Sequence, residues 1–253
     1  MINNKGKVYA IGIGPGGIEL LTPKARKKIE DSDIIIGYSL YLEHIKKLIE
    51  GKEIYSSGMK KEIDRCAFAL NKAVEGRTVS VISSGDAGIY GMAGLLFEIM
   101  KKEEYSNVDI EVVPGVTAAS TAAALLGAPL MNDYASISLS NLMTSDEVIL
   151  KRVQAVAESD LVCVLYNPQS KKRKDLFRQT IDIFLRHHKD TYAGIVRNAS
   201  RENEEVIVST LENIPFEKVD MTTLVVIGNS NTVYENGYLY TTRGYKDKYA
   251  EKF

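Results

Sequence analysis

The chain of 253 residues, 45% hydrophobic and 26% charged, has the composition of a soluble globular protein, with room for one large domain or two small ones. Its formal net charge of −1 excludes a global pull toward nucleic acid or an anionic membrane, so any recognition by charge has to be local. The two cysteines, Cys66 and Cys163, lie far apart in apolar stretches, and the three histidines show no metal-ligand spacing, which points to buried reduced thiols and no metal site.

Residues 1–7 are polar and lack the apolar core of a signal peptide. An apolar run, Val8-Tyr9-Ala10-Ile11, then leads into Gly12-Ile13-Gly14-Pro15-Gly16-Gly17. A short strand ending in glycines makes a tight turn where backbone lies close to a ligand, and Gly12, Gly14 and Gly17 formally satisfy the dinucleotide fingerprint. Three details weigh against a nicotinamide or flavin site. Pro15 has no N–H to offer a pyrophosphate, and the next helix opens only at Thr22-Pro23, a good N-cap and first-turn pair. The second strand ends in Gly37-Tyr38, where a ribose-binding acid would stand. A turn that binds nothing is the plainer alternative.

Helical patterns follow over 22–32, 41–49 and 61–75, the last closed by Gly76 in the usual stop position. Short β-branched runs at 8–13, 33–36, 78–82 and 109–113 show no polar alternation, as expected of parallel strands buried on both faces. A small-residue helix is expected over 116–126, stopped by Gly127-Ala128-Pro129, with the domain boundary within about ten residues of that break. The stretch 116–131 is rich in Ala, Ser and Thr and too broken to span a membrane. Strands at 137–139, 161–166, 192–196, 205–209 and 223–227 alternate early on with helices over 145–157 and 172–185. Glu235-Asn236-Gly237 marks a terminal hairpin, so the second sheet is expected to be mixed.

Glycine punctuation recurs behind several strands, in Ser83-Ser84-Gly85-Asp86-Ala87-Gly88-Ile89-Tyr90-Gly91 and in Pro114-Gly115-Val116-Thr117-Ala118. The carboxyl ends of parallel strands share one edge, so these loops and residues 12–17 are expected to meet in one crevice. Taken singly, Gly85-Asp86 also reads as an Asx turn and Thr117-Ala118 as a helix cap. Tyr166-Asn167-Pro168-Gln169-Ser170 follows a strand in the second half, and Lys171 to Lys174 is either a solvated helix start or a cationic ligand site. His44, His187 and His188 read as surface residues on helices.

The glycine loop, Ser84-Gly85-Asp86, Val113-Pro114-Gly115-Val116-Thr117-Ala118 and the Val196-Arg197-Asn198 loop, in this order and spacing, resemble the tetrapyrrole methylases of sirohaem and cobalamin synthesis. The likeness runs from Lys7 to about Gly244. Members acting on uroporphyrinogen carry an acid where this chain has Tyr38. The resemblance implies two α/β domains of the class III methyltransferase fold, 1–120 with a parallel-rich sheet and 121–253 with a mixed one. It places the active site in the cleft between them, with the glycine loop on the tetrapyrrole side and the second domain completing the cofactor site.

Carried over, the cofactor is S-adenosyl-L-methionine, held by Pro15, Ser84, Gly85, Asp86, Ile89, Thr117, Ala118, Tyr166 and Ala199. The activity implied is methylation of C-17 of a corrin precursor with ring contraction that extrudes C-20, a step that needs a general acid or base. Asp86, Tyr38 and Lys60 are the first candidates, with Tyr90 and Arg197 open beside them. The substrate's rim of carboxylates calls for cations, met by Lys171 and Arg197, and the resemblance adds Gly14, Gly16 and Tyr90 as expected substrate contacts. A cytoplasmic homodimer with a small-molecule tetrapyrrole substrate, and neither nucleic acid nor membrane as partner, completes the expectation. A sibling methylase acting at another ring carbon and a non-catalytic corrinoid-binding protein stay open as alternatives.

Overall fold

The computed structural model describes residues 6–58, 60–170 and 173–252. The chain divides into two compact units, with the division between Ala118 and Ala119.

The first unit contains β1 (Lys7–Gly12), α1 (Pro23–Glu30), β2 (Ile34–Tyr38), α2 (Ser39–His44), β3 (Glu53–Ser57), α3 (Glu62–Val74), β4 (Thr78–Ser83), α4 (Ala93–Ile99) and β5 (Asp109–Val113). Its five strands form one wholly parallel sheet in the order β3-β2-β4-β1-β5. Successive strand residues divide between two cores, as side-chain alternation requires. Val8, Ala10, Ile34, Ile36, Val79 and Val81 pack with Cys66, Leu70 and Leu96, from the α3 and α4 side. Tyr9, Ile11, Ile35 and Ile82 pack with Ala25, Ile29 and Leu42, from α1 and α2. Both faces are covered, which explains the missing polar alternation. Thr22 caps α1 as expected, its hydroxyl accepting from the Ala25 N–H at 3.1 Å with Pro23 in the first turn.

The helix expected over 41–49 is shorter and earlier: α2 ends at His44, and a single 3-10 turn, Lys46–Leu48, follows. Two elements lie outside the expectation. The edge strand β3 has a mostly exposed pattern and no apolar run, and α4 starts inside a glycine-rich stretch that reads as loop.

The second unit takes in most of α5 (Ala118–Leu126), then β6 (Gly127–Ala128), β7 (Tyr134–Ser138), α6 (Asp146–Glu158), β8 (Val162–Tyr166), α7 (Asp175–His187), β9 (Tyr192–Arg197), β10 (Glu205–Thr210), β11 (Thr223–Ile227), β12 (Thr232–Glu235) and β13 (Tyr238–Thr241). Five strands form a mixed sheet, β10-β9-β11-β8-β7, in which only β7 and β8 run parallel. Phe177, Phe184 and Ile181 of α7 and Ile149 and Val153 of α6 cover one face of it. Asn236 and Gly237, at φ 52° and 84°, make the expected two-residue hairpin turn between β12 and β13. Gly127-Ala128 does more than stop a helix: it forms β6 and pairs in parallel with β13. The chain therefore stays within the second unit at that break. α7 begins at Asp175, three residues later than expected, and β7 overlaps the expected 137–139 but starts three residues earlier.

Candidate active site

β1 lies between β4 and β5, so the loops after these three strands leave the same sheet edge side by side. They are fastened to one another through main chain. The Ile13 N–H donates to the Ser83 carbonyl at 3.0 Å, and Gly14 and Gly85 exchange hydrogen bonds of 3.1 and 2.7 Å. Both glycines lie in the left-handed region, at φ 81° and 65°. Gly12 serves closeness of approach instead: a Cβ there would stand 2.5 Å from the Gly85 carbonyl oxygen and 2.8 Å from the Gly115 nitrogen. The expected convergence of the three loops is present, and its first glycine packs protein against protein. Gly14, Pro15 and Gly16 are all buried.

Asp86 braces the same junction. One carboxylate oxygen accepts the Gly88 N–H at 2.7 Å and the other the Gly115 N–H at 2.9 Å. The Asx turn is thus real, and the second bond ties the β4 loop to the β5 loop. Ser84, Thr117 and Ala118 are half-buried nearby in the chain, whereas Ile89 and Tyr90 are 43% and 54% exposed. No lysine or arginine falls in residues 12–17, 83–91 or 113–118. Such a lining of main-chain groups, hydroxyls and apolar side chains offers no cation to pair with a phosphate and none to repel a ligand that itself bears positive charge.

On the other side of the β4 loop lies a cavity of about 230 Å³ lined by Tyr38, Tyr41, Glu62, Arg65, Ser83, Ser84, Tyr90, Gly91, Met92 and Leu95. Tyr38 stands at the carboxyl end of β2, in edge-to-face contact with Tyr41 at 5.2 Å. Tyr90 holds a φ of 53° and Lys60 a φ of 64°, a conformation that bulky side chains adopt at a cost and mostly where function asks for it. The Lys60 N–H donates to Glu62 Oε1 at 3.3 Å, which sets Lys60 beside the cavity-lining acid. Glu62 and Arg65 escaped the sequence reading. The available signal was an arginine within the buried stripe of α3 that also holds Cys66, Ala69, Leu70 and Ala73.

A family model for tetrapyrrole (corrin/porphyrin) methylases matches residues 7–215. The chain belongs to that family. Among curated relatives of this methylase, the probable cobalt-factor III C(17)-methyltransferases of Salmonella typhimurium and Methanocaldococcus jannaschii are 42% and 43% identical. These alignments cover 93% and 96% of the chain and 98% and 99% of the two relatives. The cobalt-factor III methyltransferase of Priestia megaterium is 44% identical over 97% of the chain, which spans only 46% of that longer protein. The crystal structure of the methyltransferase CobJ superposes with a TM-score of 0.89 at 34% identity, covering 94% of the chain and all of CobJ. A uroporphyrin-III C-methyl transferase from Thermus thermophilus, complexed with S-adenyl homocysteine, shares the fold at a TM-score of 0.68 and 24% identity.

The second unit of the methylase places its own candidates at strand ends. Tyr166 closes β8, and its hydroxyl accepts the Ala119 N–H in the first turn of α5 at 3.0 Å. Ala199 is 6% exposed, between Asn198 and Ser200 at φ 53° and 57°. Arg197 ends β9 and pairs with Glu205 across the sheet at 2.8 Å, while its Nε is buried without a hydrogen-bond partner. Lys171 lies outside the described residues. Arg173 donates to the Asn167 carbonyl at 2.8 Å, so it fixes the motif that contains it. Of the histidines expected at the surface, His188 is instead largely buried, with Nε2 2.7 Å from the Ala157 carbonyl and Nδ1 3.4 Å from Asp160. Among the described residues no cluster of three or more His, Cys, Asp or Glu is arranged to hold a metal, and no helix is long and apolar enough to cross a membrane.

Proposed function

We propose that this methylase transfers a methyl group from S-adenosyl-L-methionine to C-17 of precorrin-3B or cobalt-factor III, with ring contraction to the corresponding precorrin-4, in cobalamin synthesis. The observation that supports this most is the 42–43% identity, over nearly their whole length, to two relatives named for C-17 methylation of cobalt-factor III. The 34% identity to CobJ, with matching architecture, points the same way.

The cofactor fits the residues present. The three fastened loops offer main-chain groups, the Ser84 and Thr117 hydroxyls and the exposed Ile89, with no cation to repel a sulfonium. When bound, S-adenosylmethionine supplies a methyl group that is already electrophilic. The chain's own task is to orient the ring carbon toward that methyl and keep water out. In this reading Pro15, Ser84, Gly85, Asp86, Ile89, Thr117, Ala118, Tyr166 and Ala199 hold the cofactor. Asp86, with both oxygens on backbone N–H groups, orients rather than shuttles protons. Tyr38 and Lys60, beside the cavity, are then the acid–base candidates for contraction. Arg197 receives a substrate carboxylate. Arg197→Ala is expected to raise the tetrapyrrole KM about tenfold while cofactor affinity stays unchanged. The enzyme is taken to work as a homodimer in the cytoplasm, which sedimentation and cell fractionation test.

Offering precorrin-3B and cobalt-factor III in parallel with labelled cofactor decides the reading, with products analysed by mass and NMR. Methyl transfer to C-17 of either is the expected result, and transfer to neither overturns it.

A further inference from the structure

The cavity beside the β4 loop is too small for a tetrapyrrole. At about 230 Å³ it falls below the roughly 300 Å³ at which small-molecule pockets begin, and it has room for a side arm. One wall is a buried cation. The Arg65 side chain is 5% exposed, and its guanidinium donates to the Ser57 hydroxyl and the Gly58 carbonyl, each at 2.9 Å, and to Glu62 Oε1 at 3.2 Å. Those bonds lock the plane of a group built to grip carboxylates with paired donors. Its counter-ion is of the opposite kind, since the Glu62 side chain is 44% exposed and held otherwise, among the described residues, only by the Lys60 N–H at 3.3 Å. Tyr38 and Tyr90 add phenols to the lining, and Leu95 adds an apolar patch suited to a short methylene stem.

We propose that this cavity seats one carboxylate arm of the tetrapyrrole, and that Glu62 stands in for that carboxylate on Arg65 until substrate displaces it. The inference rests on the methylase reading given above. Exchange of one carboxylate for another never leaves the buried guanidinium unpaired, which is the outcome that burial penalises most. The displaced Glu62 returns to water at little cost, because its carboxylate, 44% exposed, is already partly hydrated. The same chemistry has a second source, the carboxylate of the cofactor's methionine part, and the test separates the two.

The experiment uses the full chain and two readouts other than turnover: titration of cobalt-factor III followed by its visible absorption, and calorimetric titration of S-adenosylhomocysteine. Glu62→Gln removes the competing anion and is expected to tighten tetrapyrrole binding about two- to fivefold. Arg65→Lys replaces the fork with a point charge and is expected to weaken it about tenfold or more. Both variants are expected to bind S-adenosylhomocysteine as the parent does. Unchanged or weakened tetrapyrrole affinity in Glu62→Gln overturns the subsite, and this arm decides alone if Arg65→Lys fails to fold. A loss of S-adenosylhomocysteine affinity in Arg65→Lys gives the cavity to the cofactor and also overturns it. A parent protein that neither binds nor methylates the tetrapyrrole brings down the functional reading itself, a result distinct from both.

Discussion

Glu111 on β5 stands among three lysines, with Lys24, Lys7 and Lys28 at 2.9, 3.3 and 3.5 Å. The hydrogen bond from Lys24, reinforced by Lys7 and Lys28 against the opposing effect of burial, holds its carboxyl down to about 2 from an ordinary 4.5. A folded-state value below the unfolded one stabilises the protein above pH 4.5, and the contribution is lost as pH falls toward 2. Glu111→Gln is therefore expected to cost about 1 kcal/mol at pH 7, since partial exposure screens the lysines. Urea midpoints of the two proteins should converge as the buffer is taken into the acid range. Asp86 poses a different question, whether a carboxylate braces or reacts. Asp86→Asn turns one acceptor into a donor facing a backbone N–H, either Gly88 or Gly115. Calorimetry is expected to show S-adenosylhomocysteine binding weakened about tenfold. Intact affinity with lost turnover would instead make Asp86 the proton carrier.

At the scale of elements, the three glycine loops behave as one piece. Gly12→Ala sets a Cβ 2.5 Å from the Gly85 carbonyl oxygen and against the backbone of Gly115, neither of which can yield without pulling strands apart. Thermal or denaturant unfolding is expected to show a loss of about 3 kcal/mol. Gly51→Ala, at φ 79° with open space around it, pays only for the backbone conformation and is expected to lose about 1 kcal/mol. Much of this layer was legible beforehand. Thr22-Pro23 announced the start of α1, the apolar runs announced parallel strands, and Asn236-Gly237 announced the hairpin, because each depends on neighbours in sequence. The edge strand β3 was not legible, since its neighbour β2 holds it in register through main chain and leaves its side chains exposed. Nor was the pairing of β6 with β13, made between segments more than a hundred residues apart. The loops of the site could be read as glycine signatures. Which groups they touch could not, because the Tyr166 contact to Ala119 and the Arg65 contact to Ser57 depend on tertiary placement.

For the molecule as a whole, the last strand matters out of proportion to its length. β13 pairs with β6 at the start of the second unit, and the Thr241 hydroxyl donates to the Pro129 carbonyl at 2.7 Å and meets the buried Thr232 hydroxyl at 2.8 Å. Truncation after Asn231 leaves the Pro129 carbonyl without that donor and β6 without a partner. Loss of near-ultraviolet dichroism and rapid proteolysis within residues 119–231 are expected. Truncation after Arg243 removes mostly exposed residues and is expected to be tolerated.

The fastening of Gly12, Gly14, Gly85 and Gly115 through main chain has an outcome for redesign. Apart from the Asp86 carboxylate that braces it, that junction is main chain and glycine, so mutational libraries built there mostly sample damaged folds. The cavity wall consists of the side chains of Tyr38, Glu62 and Arg65 on other elements and of Tyr90 farther along the β4 loop, and it can change without unpicking the junction. An engineer seeking to redirect methylation to another ring carbon should therefore randomise those four positions and leave the glycines untouched.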